Sequence, residues 1–214
     1  MTLKRSFHII SVQITVILTI DGLTDASADE QTGRDRLKGD NDMIPSFSVD
    51  HRYIVPGIFV SREDELGKEK VTTYDIRVKK PNVEPVIDVA AMHSLEHIIA
   101  TFLRNDPEWK NEIIYWGPMG CLTGFYLILK GDRPCREIYD LILRAFEDVL
   151  TTDEVPGATP KNCGTALMHN LGMAKWYARE FAEYLKANAD KKEIFEYPMT
   201  ERLVNDDGKH FFDS

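Results

Sequence analysis

The chain has 214 residues, of which 43% are hydrophobic and 29% are charged, and its formal net charge at pH 7 is −9. This length and composition are typical of one globular domain with a substantial core. The negative charge and the lack of a clustered run of Lys and Arg exclude nucleic acid as an expected partner, because phosphate binding requires such clusters.

Residues 1–42 differ in composition from the rest of the chain. Two basic residues precede a moderately apolar run at 9–20, and Ala-Ser-Ala follows at 26–28, which is the outline of a secretory signal with its cleavage site. The run is interrupted by polar residues and is too short to span a membrane as a helix. Residues 29–42 are polar and charged, as in disordered segments. Two interpretations stay open, a signal sequence or an extension before a translation start at Met43; we expect the second, in a cytoplasmic protein with no membrane partner.

Residues 43–188 are predicted to form a single domain, and a charged tail follows at 189–214. Strands are predicted where β-branched residues cluster, and helices where apolar residues recur at helical spacing. In chain order the predicted elements are strands 58–61 and 71–78, helix 89–104, strands 113–116 and 122–130, and helices 138–150 and 171–186. In the last helix the predicted core contacts are Trp176, Phe181 and Leu185. Strands mixed with three long helices, without strict β-α-β alternation, indicate an α+β fold: a mostly antiparallel sheet with helices packed on one face.

The first predicted helix carries the sequence HSLEH at 93–97, an H-x-x-E-H pattern. Residues four apart lie one turn apart on the same helix face, so His93 and His97 can converge on one metal ion. Glu96 lies beside them, where a carboxylate can move protons. Two imidazoles are too few for a stable site, so the pattern requires a third ligand from elsewhere in the chain.

Two of the three cysteines are candidates for this site. Cys163 precedes a glycine in a loop before the last helix, and its thiolate would complete a His2Cys set with an open position for substrate. Cys121 follows a Gly-Pro-Met-Gly turn, and a thiolate near a divalent metal has a lowered pKa and can act as a base. From the residues alone, each is equally well explained as an ordinary buried cysteine. Cys135 is interpreted as structural.

Three polar residues near the first strands, Ser46, His51 and Arg77, have no clear role from the residues alone. In the second predicted strand, Arg77 alternates with Ile76 and Val78, so it faces away from the core. Such residues are more often surface or capping residues than binding residues.

Five segments, taken together and in order, resemble the S-ribosylhomocysteine lyases, the LuxS-type family. They are FSVDH at 47–51, YDIR at 74–77, HSLEH at 93–97, GPMGCLTGFY at 117–126 and NCGT at 162–165. The resemblance covers residues 43–188, roughly. It departs from the family at Ser94, where threonine is more usual, and at residues 115–117, where the family has an Asp-Ile-Ser-like stretch.

The resemblance implies cleavage of the thioether of S-ribosylhomocysteine to homocysteine and 4,5-dihydroxy-2,3-pentanedione, the precursor of the autoinducer-2 signal of quorum sensing. It also implies the antiparallel sheet with helices on one face, and a homodimer in which two subunits build each site. The implied cofactor is one Fe(II) per subunit, with Zn or Co as possible substitutes, and its implied ligands are His93, His97 and Cys163. The implied acid/base pair is Glu96 and Cys121. The implied substrate-binding residues, which would reach the partner's metal centre, are Ser46, His51 and Arg77.

Two other functions stay open beside the lyase. The H-x-x-E-H pattern also matches inverted zincin metallopeptidases, in which the Glu is a general base. Such an enzyme would use a carboxylate as third ligand, such as Glu147 or Glu154, and would have no use for Cys121. The third possibility is a metal-binding interaction protein without enzymatic activity.

Overall fold

A four-stranded antiparallel sheet is the frame of the protein, and the computed structural model describes residues 49–198. The strands are β1 (Gly57–Leu66), β2 (Glu69–Arg77), β3 (Ile113–Pro118) and β4 (Gly124–Lys130). Their order in the sheet is β1-β2-β4-β3, with every neighbouring pair antiparallel. The predictions that lie outside the described residues concern residues 1–42, residue 46 and most of the tail.

Three helices pack together on one face of the sheet: α1 (Val89–Asn105), α2 (Tyr139–Thr151) and α3 (Leu171–Ala187). A short 3-10 turn, Lys192–Ile194, follows α3. In α1 the buried apolar residues recur at helical spacing, so burial of one face stabilises the helix. They are Ala91, Met92, Leu95, Ile98, Ile99 and Leu103. The α+β architecture predicted from the sequence is thus confirmed.

The core lies between the helices and the inward face of the sheet. Alternate residues of β4 point into it, as the two-residue period of a strand requires, and these are Phe125, Leu127 and Leu129. Aromatic rings join the two layers: the ring centroids of Trp116 in β3 and Phe146 in α2 are 6.4 Å apart. The core therefore fixes how α1 and α3 lie on the sheet, and both helices border the candidate site.

Three details differ from the sequence predictions. β1 extends to Leu66 because its charged second half pairs with β2 across the turn at Gly67. β4 begins at Gly124 rather than at Leu122, because Leu122 has a φ of 59° and belongs to the preceding turn. The predicted core contact of Trp176 is wrong: the residue is 43% exposed.

Within residues 49–198, no helix is both long enough and apolar enough to cross a membrane.

A candidate metal centre and an arginine–thiol cluster

Four side chains form a group that could hold a metal ion: His93, His97, Cys163 and His169. We call this group the metal cluster. One ligand atom from each residue lies within 4.8 Å of the others. Imidazole nitrogens and a thiolate are ligands that suit zinc and iron, so the donor set fits a transition metal.

The two histidines of α1 are each held by a hydrogen bond at Nδ1. The Nδ1 of His93 lies 2.9 Å from the carbonyl oxygen of Met168, and the Nδ1 of His97 lies 2.8 Å from that of Pro156. Because a carbonyl only accepts hydrogen bonds, each Nδ1 carries the proton and donates it. Each Nε2 is then left with a lone pair for a metal, an arrangement typical of metal-binding histidines.

Cys163 comes to these histidines on the loop between α2 and α3. Its Sγ lies 3.4 Å from Nε2 of His93, and the backbone N–H of Thr165 donates to the same sulfur over 3.4 Å. The loop turns at Gly157, whose φ of 68° favours glycine. This turn lies beside His97, whose Nδ1 is bonded to the neighbouring carbonyl of Pro156.

His169 was missed by the sequence analysis. Its ring stacks on that of His93, with centroids 4.0 Å apart and planes 21° apart. Its Nε2 is 3.8 Å from Sγ of Cys163, and its Nδ1 is 3.3 Å from Oγ of Ser94. Burial, and then the neighbouring imidazoles, lower the pKa of His169. The sequence feature that could have identified His169 is its position, six residues after Cys163 and directly before Asn170, which caps α3.

Glu96 lies half-buried on α1, and its carboxylate forms no hydrogen bond or ion pair with the described residues. The metal cluster contains no carboxylate. Glu147, one of the two carboxylates expected for a metallopeptidase, is instead paired with Lys186 of α3. The described geometry therefore favours a site whose third ligand is not a carboxylate.

A second group of side chains lies at the end of β2 and the start of β4, and we call it the arginine–thiol cluster: Asp75, Arg77, Cys121 and Thr123. Arg77 is only 2% exposed, so it is not a surface residue, which is the more common case for such a position. Its Nη2 donates to Oδ2 of Asp75 over 2.5 Å. Its Nη1 donates to Oγ1 of Thr123 over 2.6 Å and lies 3.8 Å from Sγ of Cys121. Because the strand alternates, these groups lie on the sheet face opposite the helices.

The thiol of Cys121 is exposed and lies 3.1 Å from Oγ1 of Thr123. Since that hydroxyl oxygen already accepts from Arg77, its own hydrogen is free for the sulfur. Partial burial alone raises the pKa of Cys121. The hydrogen bonds from Thr123 and the positive charge of Arg77 outweigh this effect and hold the pKa below its usual value.

The Nδ1 of His51 donates to the carbonyl of Val49 over 2.8 Å. His51 borders a cavity of about 10 Å³, just enough for one water molecule. The polar residues that line this cavity are His51, Ser61, Asp75, Arg77, Tyr126 and Tyr197. Two buried atoms at the cavity's charged pair, Oδ1 of Asp75 and Nε of Arg77, have no hydrogen-bond partner among the described residues. Ser46, the third predicted substrate-binding residue, lies outside those residues.

The metal cluster and the arginine–thiol cluster are separate within the chain. No hydrogen bond, ion pair or ring contact between residues 49 and 198 joins a member of one to a member of the other. The structure thus brings the predicted metal ligands together, and it brings Arg77 together with Cys121. It does not place the metal cluster in contact with the arginine–thiol cluster.

The chain is similar to proteins of one family. A family model described as S-ribosylhomocysteinase (LuxS) matches residues 44–192. A protein of Phocaeicola vulgatus named S-ribosylhomocysteine lyase is 48% identical over 159 residues, which are 74% of this chain and 98% of that protein. Proteins of the same name from Borreliella burgdorferi and Finegoldia magna are 46% and 49% identical over 156 residues, 72% of this chain and 98% and 97% of those proteins.

Proposed function

Because the chain belongs to the S-ribosylhomocysteine lyase (LuxS) family, we propose that it cleaves the thioether of S-ribosylhomocysteine. The products are homocysteine and 4,5-dihydroxy-2,3-pentanedione, the precursor of autoinducer-2. The observation that carries the proposal is a His-Cys metal cluster in the same chain as a thiol activated by an arginine. A metallopeptidase is not favoured, because it needs neither Cys163 as a ligand nor Cys121 as a base.

The proposed ligands of a divalent metal, Fe(II) by family likeness, are His93, His97 and Cys163. When bound by these residues, such a metal would supply Lewis-acid chemistry, which would polarise the sugar carbonyl. His169 is left out of the ligand set because its ring is nearly parallel to that of His93. Because an imidazole nitrogen binds a metal through the lone pair in its own ring plane, two stacked and nearly parallel rings would not both present their nitrogens to one ion. Of the two, His93 is nearer to Cys163 and shares a helix face with His97.

The proposed acid/base groups are Cys121 and Glu96. Cys121, as thiolate, takes a proton from one sugar carbon and returns it to the next, while Glu96 moves protons between the oxygens. Two such rounds shift the carbonyl along the chain until the bond to sulfur lies β to it, and the thiolate of homocysteine then leaves by elimination. Every step is a proton transfer or an elimination, so no redox cofactor is required. The lowered pKa of Cys121 supports its role, since a base works best with a pKa near the working pH.

The proposed substrate-binding residues are Ser46, His51 and Arg77. The contact of Arg77 with the exposed Cys121 supports this proposal, because it places the guanidinium beside the proposed base, where the substrate must bind.

We propose a homodimer in which the metal cluster of one subunit meets the arginine–thiol cluster of the other. The lack of contact between the two clusters within the described chain supports this arrangement. Exposed apolar side chains next to the metal cluster support it as well. Leu167 and Met168 directly precede His169, Val89 begins α1, and all three side chains are more than a third exposed.

We place the enzyme in the cytoplasm, because thiols such as Cys121 and Cys163 favour a reducing compartment.

The test is release of homocysteine from S-ribosylhomocysteine, followed with a thiol reagent, together with the metal content of each variant. Cys121→Ala is expected to lower kcat by about 10²–10⁴-fold while the metal stays bound. Cys163→Ala is expected to lose both the metal and the activity. Cys135→Ala is the matched control, since the buried Cys135 touches neither cluster, and it should keep both. Full activity of Cys121→Ala, or metal retention by Cys163→Ala, contradicts the proposal.

A further inference from the structure

Tyr197 lies beyond residues 44–192, which the family model matches, and yet it packs against the arginine–thiol cluster. Its ring stacks on that of Phe59 in β1, with centroids 4.7 Å apart and planes 9° apart. The preceding 3-10 turn holds the segment in place: Ile194 is buried, and its carbonyl lies so close to Gly57 of β1 that no Cβ would fit there. The segment after α3 therefore covers part of the sheet face opposite the helices.

The hydroxyl of Tyr197 donates to Oδ2 of Asp75 over 2.9 Å. The same oxygen accepts from Nη2 of Arg77. Burial, and then the charge of Asp75, raise the pKa of Tyr197 far above its usual value, so the phenol stays protonated and remains a donor. Tyr197 and Arg77 thus hold one carboxylate oxygen from two sides, and the second Arg77 amino group points to Thr123 and Cys121.

We propose that Tyr197 is a positioning residue for substrate binding: its hydroxyl holds Asp75, and Asp75 in turn holds the guanidinium of Arg77 toward the substrate. The inference rests on the proposed role of Arg77 in the lyase site. It adds to that site a residue outside the segments that resemble the family.

The burial of Asp75 is the physical reason why the hydroxyl of Tyr197 affects the position of Arg77. Burial raises the pKa of this carboxyl group, and the charge and hydrogen bond of Arg77, then the hydrogen bond from Tyr197, oppose the increase. A protonated Asp75 would lose its ion pair with Arg77, and the guanidinium could turn away. The other titratable groups that face Asp75 are Tyr126 on β4 and His51 in the segment before β1, and Cys121 faces Arg77.

Tyr197→Phe tests the proposal, because it removes the hydroxyl and keeps the ring that stacks on Phe59. KM for S-ribosylhomocysteine is expected to rise about tenfold, the loss of one hydrogen bond to a charged group, while kcat at a pH where Cys121 is fully ionised changes by less than about twofold. The acidic limb of the profile of kcat/KM against pH should move to higher pH, since Asp75 protonates more readily. Tyr184→Phe is the matched control: its hydroxyl has no hydrogen bond among the described residues, so its KM and pH profile should equal those of the wild type.

A double-mutant cycle with Asp75→Asn separates positioning from a merely structural role. If Tyr197 acts through Asp75, the double variant should have the same KM as Asp75→Asn alone. A substrate-free measurement completes the test: titration of Asp75 by carbon-13 NMR should show a higher pKa in Tyr197→Phe than in the wild type. An unchanged Asp75 pKa, an unchanged KM, or additive effects in the cycle would overturn the proposal. The NMR result stands even if the wild type lacks lyase activity, so it separates failure of this inference from failure of the proposed function.

Discussion

At the scale of single residues, the arginine–thiol cluster shows how neighbours set the reactivity of one cysteine. Cys121 and Cys135 have the same side chain and opposite pKa shifts. Burial raises the pKa of Cys135 to about 11, whereas Thr123 and Arg77 hold that of Cys121 below its usual value. Because the thiolate is the reactive form, Cys121 is the more reactive of the two thiols at neutral pH.

Thr123→Val should reduce this reactivity by removing the hydroxyl that donates to the sulfur. Since a hydrogen bond to the charged form favours that form, its loss raises the pKa of Cys121. The rate of alkylation of Cys121 by iodoacetamide, followed by peptide mass spectrometry, should then fall at pH 7. The midpoint of the curve of this rate against pH should move to higher pH. Thr73→Val on β2 is the control, because Thr73 forms no side-chain hydrogen bond within the described residues. An unchanged midpoint in Thr123→Val would show that the hydroxyl does not stabilise the thiolate.

At the scale of the elements, α1 and the loop before α3 share the work of building the metal cluster. α1 provides two candidate ligands by its own geometry, and its first turn is capped by Asp88, whose Oδ1 accepts from the backbone N–H of Ala91 over 3.0 Å. The loop contributes Cys163 and the Met168 carbonyl that orients His93. Asn170 couples the two elements, because its backbone N–H donates to Oγ of Ser94 over 2.9 Å.

Asp88→Ala should lower the free energy of unfolding by about 1 kcal/mol, the typical loss on removing an N-cap side chain. The measurement is urea unfolding of the metal-free protein, so that metal affinity does not enter the result. Asp153→Ala is the control, because this exposed carboxylate lies outside the helices and has no hydrogen bond or ion pair among the described residues. Equal stability of the two variants would mean that Asp88 does not cap α1 effectively.

At the scale of the whole molecule, we propose that the two clusters meet between two subunits. The proposed chemistry requires the Cys121 thiol and the metal ligands to act on one substrate, yet no described contact joins them within one chain. Cys121 contacts Arg77, so both belong to the same half of the site. A twofold-symmetric dimer would create two complete sites at once.

A mixed dimer of one Cys121→Ala and one Cys163→Ala subunit should therefore be active. It contains one site with an intact metal cluster from the first subunit and an intact Cys121 from the second, and its rate should be about half that of the wild type. The heterodimer can be isolated by coexpression with two affinity tags, and each homodimer alone serves as the inactive control. An inactive heterodimer would place both clusters of a working site in one subunit.

The sequence by itself determined the elements, the α+β class and the family, and it placed His93 and His97 together, because these properties depend on local spacing. It also predicted that Cys163 joins the two histidines, which the structure brings together; their role as ligands stays a prediction. It failed where distant segments meet. The strand pattern alone could not show that Arg77 is buried, because its burial depends on Asp75 and on Tyr197, 120 residues later in the chain. His169 and Tyr197 have no pattern around them that distinguishes them from other histidines and tyrosines. Only the tertiary structure decided their roles. It packs the loop onto α1, so that His169 stacks on a candidate ligand, and it packs the segment after α3 onto β1, so that Tyr197 holds a buried carboxylate.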